Sequence, residues 1–146
     1  MMLCKRQFQL ASTEENEMTD VAAAIIYDKQ GRMLICRRMD VGDCAGLWEF
    51  PGGKREHGES MAQCLVRECR EELGVVLDVG TLYEEFVYSY PAKTIHFCFY
   101  KASIASGQVS INVHSEVKWV LPSQLAAYHF CPADEKLVAR LASEQC

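Results

Sequence analysis

The stretch that most constrains this chain is residues 53–75, with Trp48-Glu49-Phe50-Pro51-Gly52 leading into it. A Gly-Gly pair follows a proline, which allows positive φ and lets another group approach the main chain closely. Ser60 and Gln63 have the spacing of a capping box that opens a helix, and Gly74 after Leu73 closes it. That helix carries Glu68, Glu71 and Glu72. A helix turns about 100° per residue, so the three carboxylates share an arc of similar width. Beside them Ala62, Leu65, Val66, Cys69 and Leu73 form an apolar stripe that belongs to a core. Like charges at i,i+3 and i,i+4 repel. Taken alone such a face is an ordinary solvated one. With Glu59 just before the helix and a bent glycine loop beside it, the same residues offer hard oxygen donors of the kind Mg²⁺ or Mn²⁺ prefers.

Around this stretch the chain reads as one domain. It has 146 residues, 49% of them apolar, enough for a sizeable core. Its 15 basic and 20 acidic residues give a net charge of −5 without a basic stripe, which argues against a nucleic-acid polymer as partner. A small polyphosphate remains compatible with that charge if divalent cations mediate the contact. No apolar run suits a signal peptide or a membrane span, so a cytoplasmic location without membrane contact is expected. The eight cysteines include no Cys-x-x-Cys pair, and those in apolar runs (Cys36, Cys69, Cys98) read as small reduced hydrophobes.

Residues 1–19 are polar and read as a flexible tail, leaving a single domain over residues 20–146. Strands are expected at residues 21–27 and 33–38, with a short one at 47–50. Beyond the helix, further strands are expected over 75–90, broken near Gly80, and over 94–102 and 117–121. Tyr90-Pro91-Ala92-Lys93 has the composition of a hairpin turn. A short helix follows Pro122, and residues 133–143 show helical spacing. Strands, one helix, more strands and a terminal helix give an α/β (α+β) class: a mixed β-sheet with helices on its faces.

The spacing Gly53, five residues, Glu59, seven residues, Arg67-Glu68-Cys69-Arg70-Glu71-Glu72-Leu73-Gly74-Val75 resembles the Nudix box. Every polar and glycine position of that pattern is matched, and Cys69 fills an aliphatic slot. The resemblance implies an α/β/α sandwich and hydrolysis of a nucleoside diphosphate linked to another group, with Mg²⁺, or Mn²⁺, as cofactor. It further implies that Glu68 and Glu72 are the main metal ligands, with Glu71 alongside and the Gly52 carbonyl completing the set. Glu59 would lie nearby, and Arg67 would orient the carboxylates, a role compatible with an i,i+4 pair to Glu71. Two candidates stand for the general base: Glu68 within the box, and Glu116 shortly before Trp119.

The flanks narrow the substrate. Gly46-Leu47-Trp48-Glu49-Phe50-Pro51-Gly52-Gly53-Lys54 resembles the MutT branch of the family, which removes 8-oxo-dGTP from the nucleotide pool and so serves DNA repair. That resemblance makes Glu49, Phe50 and Pro51 substrate-binding candidates. Ile35-Cys36-Arg37-Arg38 is similar to the branch's second strand, whose final Arg, here Arg38, contacts the nucleotide. Asp43 stands in a loop where the MutT type can carry His. Phe130-Cys131-Pro132-Ala133-Asp134-Glu135 is similar to the segment that sets an amide or carboxylate against the base. The bacterial MutT type has Asn where this chain has Asp134. An ionised Asp only accepts hydrogen bonds, which suits the N1–H and N2 amino edge of 8-oxoguanine or the amino group of cytosine. A protonated Asp134 could instead donate to a purine O6. The Pro-Ala-Asp form also resembles the CTP pyrophosphohydrolase branch, and Asp134 could equally do no more than cap the terminal helix. Likewise Phe50 could pack on the base or fill the core. The partner expected is therefore a small nucleotide, bound by a monomer or homodimer. The competing class is a Nudix-fold module that binds a nucleotide without hydrolysing it.

Overall fold

The computed structural model describes residues 18–144. Its organising strand is β1 (Met18–Ile26), which lies inside a four-stranded sheet and has cores on both faces. Ala22, Ala24 and Ile26 point into one core, Ala23 and Ile25 into the other. Full burial of both faces explains why residues 22–26 read as a continuous apolar run rather than an alternating one. β1 pairs antiparallel with β4 (Gly52–Lys54) and parallel with β6 (Thr94–Ser106), and β6 pairs antiparallel with β5 (Val76–Ser89). The order β4-β1-β6-β5 is thus a mixed sheet. A second, antiparallel sheet has the order β3-β2-β7, from Trp48–Glu49, Met33–Arg37 and Glu116–Val120.

One core is closed by α1 (Met61–Leu73), which buries Cys64, Leu65, Cys69 and Leu73. The other is filled by Phe50, Phe99, Leu125 and Phe130 and closed by Leu137 and Leu141 of α2 (Glu135–Ser143). Helices on both sides of the sheet make the α/β/α sandwich expected from the sequence. The capping box forms in full: Ser60 Oγ accepts from the Gln63 N–H at 3.1 Å, and the Ser60 N–H donates to Gln63 Oε1 at 2.8 Å. Gly74, at φ 70°, terminates the helix and donates to the Arg70 carbonyl.

Several boundaries differ from the sequence reading. The tail expected over residues 1–19 falls mostly outside the described residues, but Met18 and Thr19 already belong to β1 and pair with Thr94 and Ile95. No break divides residues 76–89. Gly80 lets the strand pass close to the Lys101 carbonyl, where an added Cβ would lie at 2.9 Å, and the irregularity is absorbed by shifts of register. β6 runs on to Ser106, and the residues after Pro122 and at Pro132–Asp134 form 3₁₀ turns. Ala62 and Val66 are only half-buried, because the helix turns Cys64 inward in their place. The hairpin turn forms where expected, with reciprocal backbone bonds between Tyr90 and Lys93. Among the described residues, no helix is long and apolar enough to cross a membrane.

Gly52 is the tightest point of the fold. A Cβ there would sit 2.0 Å from the Ala22 carbonyl oxygen and 2.7 Å from the Ala23 Cα, both backbone of the central strand. Neither can move without disturbing both cores. Gly52→Ala is therefore expected to cost about 3 kcal/mol, read as a lower urea midpoint with an unchanged slope.

Candidate active site

The site is built where β4 passes under α1. An added Cβ on Gly53 would stand 2.4 Å from the Glu68 carboxyl carbon, so only glycine lets that carboxylate lie against the strand. One turn further on, Glu72 Oε1 accepts from the Gly52 N–H at 3.4 Å. Glu71 shares the arc but not the corner: its side chain is 60% exposed, against 17% for Glu68.

Arg67 ties the box together. Its guanidinium forks onto both oxygens of Glu59, at 3.1 and 2.7 Å, reaches Glu68 Oε1 at 2.9 Å and bonds the Lys54 carbonyl at 3.0 Å. The expected pair with Glu71 is present at a longer 3.6 Å. Bidentate pairing of this kind is stronger and more directional than a point-charge contact. It holds the Glu59 carboxyl down at about 2, helped by the Glu56 backbone N–H.

Glu72 has no such counter-charge. Among the described residues no arginine, lysine or histidine lies within ion-pair distance of it. Burial, followed by the charges of Glu49 and Glu68, pushes its carboxyl up to about 8. The neighbouring Glu49 has a cation in Arg38, whose Nη1 lies at 3.1 Å, and a further polar contact with His114 Nε2 at 3.0 Å. A divalent cation fits this corner. The oxygens offered by Glu68, Glu72 and the Gly52 carbonyl are all hard donors, and a cation beside Glu72 supplies the charge its surroundings lack.

A cleft of about 380 Å³ opens beside the corner, lined by Gly52, Gly53 and Glu72 as well as Arg38, Glu49, Phe50 and Asp134. Asp134 is placed by the loop before it. Trp48 accepts from the Cys131 N–H and donates to the His129 carbonyl, so residues 129–131 run beside β3 and the Pro132–Asp134 turn dips inward. The Asp134 side chain makes no capping hydrogen bond to α2, so the helix-cap role is not the one it plays. Instead it is 5% exposed, and burial together with the charge of Glu49 raises its pKa well above the usual carboxylate range. That shift favours the protonated carboxyl, which has one donor and one acceptor.

Other expectations fare unevenly. Arg38 lines the cleft and is anchored by the Asp43 carbonyl at 2.9 Å as well as by Glu49. Phe50 borders the cleft too, but its ring is 4% exposed and stacks on Phe130 at 5.5 Å, so most of it is core. Pro51 is fully buried; its carbonyl accepts from the Ala24 N–H, which makes it a splice between β3 and the central sheet. Glu116 lies outside the cleft lining, facing Arg37 at 3.7 Å and Lys118 at 3.5 Å. Sequence reasoning missed His114, whose imidazole is 3% exposed and whose Nδ1 has no partner. It also missed Lys54, Tyr90 and Lys93, which line the cleft. His114 sits in an irregular stretch with no periodicity to mark it as buried, and the hairpin residues carry only a turn signal.

Comparison with known proteins identifies the family. The NUDIX domain family matches residues 18–141. The 8-oxo-dGTP diphosphatase of Haemophilus influenzae is 38% identical over 130 residues, covering 89% of this chain and 96% of that protein. The CTP pyrophosphohydrolase of Escherichia coli is 37% identical over 122 residues, covering 84% and 90%. Among solved structures, the E. coli ORF135 protein superposes with a TM-score of 0.76 at 34% identity, covering 89% of this chain and 92% of that one. The MutT protein of Methanosarcina mazei shares the fold with a TM-score of 0.78, over 89% and 96% of the two chains. The chain belongs to the Nudix family. It is a hydrolase with every carboxylate of the box in place.

Two outcomes follow from the charges. An unfolded Glu72 ionises near 4.5 and the folded one near 8, so the metal-free protein loses stability as pH rises between those values. At pH 7.5, in EDTA, Glu72→Gln should raise stability by on the order of 2 kcal/mol, a melting shift of several degrees. Glu59 has the opposite sign. Its pair with Arg67 contributes fully above about 4.5 and is lost as pH falls towards about 2. Arg67→Ala should therefore remove part of the acid-unfolding slope in that window, as followed by circular dichroism.

Proposed function

We propose that this hydrolase converts nucleoside triphosphates to the monophosphate and pyrophosphate with Mg²⁺, and that 8-oxo-dGTP is its preferred substrate. The observation that carries this reading is a single cleft bearing both halves of the chemistry. Gly52, Gly53 and Glu72 suit a cation-bound diphosphate, while Arg38, Phe50 and the buried Asp134 suit a base. A bound divalent cation neutralises the diphosphate and makes the attacking water more acidic.

The residues of the chain divide the remaining work. Glu68, Glu72 and the Gly52 carbonyl hold the cation, with Glu71 beside them. Glu68, whose Oε1 is engaged by Arg67, would accept the proton of the attacking water through Oε2. The reading that favours a general base within the box is supported by the position of Glu116 between Arg37 and Lys118, outside the cleft lining. Lys54 and Lys93 supply positive charge along the cleft. Arg38, fixed by Glu49 and the Asp43 carbonyl, stands ready at the nucleotide. A neutral Asp134 offers a hydroxyl to the purine O6 and a carbonyl oxygen to N1–H, the pattern an Asn side chain would present.

The same two groups complement the N3 and N4 amino edge of cytosine. CTP or a modified dCTP is therefore the second reading, supported by the likeness to the E. coli CTP pyrophosphohydrolase.

A panel of 8-oxo-dGTP, dGTP, CTP, 5-methyl-dCTP and ADP-ribose, compared by kcat/KM, tests both readings. Highest efficiency with 8-oxo-dGTP is expected, with pyrophosphate as product and no turnover in EDTA. Glu72→Gln should lower kcat at least ~100-fold. Asp134→Asn should retain the base preference, whereas Asp134→Ala should lower efficiency by about 10- to 100-fold. Turnover that survives EDTA, or a preference for ADP-ribose, would overturn the proposal.

A further inference from the structure

On the sheet face turned away from the cleft, three potential metal ligands converge. Ile95 and Phe97 line the cleft, so alternation along β6 places His96 and Cys98 on the opposite face. Glu85 of β5 pairs directly with Cys98. One atom from each of Glu85, His96 and Cys98 lies within 4.8 Å of the others. None of the three belongs to the box, and the proposed hydrolysis uses none of them.

The distances suit a tetrahedral ion. With bonds of about 2.3 Å to sulfur and about 2.0–2.1 Å to nitrogen or oxygen, the tetrahedral edges are about 3.5 Å from sulfur and about 3.3 Å between nitrogen and oxygen. Cys98 Sγ stands 3.6 Å from His96 Nε2 and 3.7 Å from Glu85 Oε2. Only the His96–Glu85 edge, a hydrogen bond of 2.7 Å, must open. Glu85 can open it, being half-exposed on the edge strand of the sheet.

The imidazole is also aimed. Its Nδ1 faces Asp20 Oδ1 at 2.9 Å, and the other oxygen of Asp20 takes the Arg55 guanidinium at 2.9 and 3.1 Å. A carboxylate on the far nitrogen is the usual support of a metal-bound histidine, since it sets the tautomer and presents Nε2 to the ion. We propose that Glu85, His96 and Cys98 form a second cation site, selective for Zn²⁺ or a similar borderline ion over Mg²⁺, with a fourth position open to solvent. The mixed sulfur, nitrogen and oxygen set excludes Mg²⁺, which takes oxygen donors. Binding forms M–S, M–N and M–O bonds and sends the Cys98 thiol proton and the His96 Nε2 proton to solvent. Two protons leave as a dication enters, so the charge of the cluster is unchanged. Through Asp20 and Arg55, which also bonds the Glu59 carbonyl at 3.2 Å, the ion would brace the loop that precedes α1.

Cobalt titration of the full-length reduced protein tests this, since Co²⁺ reports thiolate ligation by near-ultraviolet charge transfer and tetrahedral geometry by its visible bands. One equivalent of tetrahedral, thiolate-bound Co²⁺, displaced by Zn²⁺ but not by excess Mg²⁺, is the expected result. The signal should persist in Glu72→Gln and Cys44→Ser and vanish in Cys98→Ser and His96→Ala, each checked for native circular dichroism. Asp20→Asn should weaken Co²⁺ binding by about 10- to 100-fold. Absence of the charge-transfer band in the wild type, with its thiols confirmed as reduced, would overturn the proposal. So would a band that survives Cys98→Ser, because the ion would then rest on another cysteine.

Discussion

The close passage of β4 between β1 and α1 is the contact on which the rest depends. On one side the strand leaves no room for a Cβ at Gly52 against the Ala22 carbonyl; on the other it leaves none at Gly53 against Glu68. Two adjacent residues without side chains thus let a helix face full of carboxylates lie directly on a sheet edge. Any bulk inserted there would push α1 off the core formed by Cys64, Leu65, Cys69 and Leu73. The geometry that makes the site and the packing that makes the domain are the same contact.

Charge is distributed unevenly around that contact. Arg67 compensates Glu59 and Glu68, while Arg38 compensates Glu49. Glu72, half-buried, and Asp134, buried, have no ion-pair partner among the described residues, and both are raised well above ordinary carboxylates. Two carboxyls in one cleft are thereby prepared for different ends. Beside Glu72 a cation would offset the carboxylate charge, while Asp134, more readily protonated than an ordinary carboxyl, would donate a hydrogen bond when neutral.

What could be read in the sequence was whatever lies close along the chain. Glu68, Glu71 and Glu72 with Arg67 sit within two turns, and Ser60 with Gln63 within one, so their spacing alone carried the helix, the box and the charged arc. The hairpin at Tyr90–Lys93 was legible for the same reason. The upward shift of the Asp134 carboxyl was not, because it depends on burial by a loop that runs beside Trp48. Nor was the exposure of the Glu71 side chain, which turns on a rotation of α1 that brings Cys64 inward. His114 against Glu49, and Asp20 against His96, are separated by 65 and 76 residues. No local period reports partners brought together by sheet register, so such pairs become visible only in three dimensions.

The parallel pairing of β1 with β6 carries a consequence for how the chain reaches this state. Partners on the two central strands, such as Met18 and Thr94, are 76 residues apart in the chain, and neither core can close until residues beyond 99 have arrived. Topologies dominated by such distant contacts fold slowly, since the loop must be closed before its contacts stabilise anything. During synthesis, Ala22-Ala23-Ala24-Ile25-Ile26 emerges early and must wait with both faces uncovered, an aggregation hazard for as long as β6 is missing. The β5–β6 hairpin, by contrast, assembles from neighbours. Its contacts are local, so it can pair before β1 joins it.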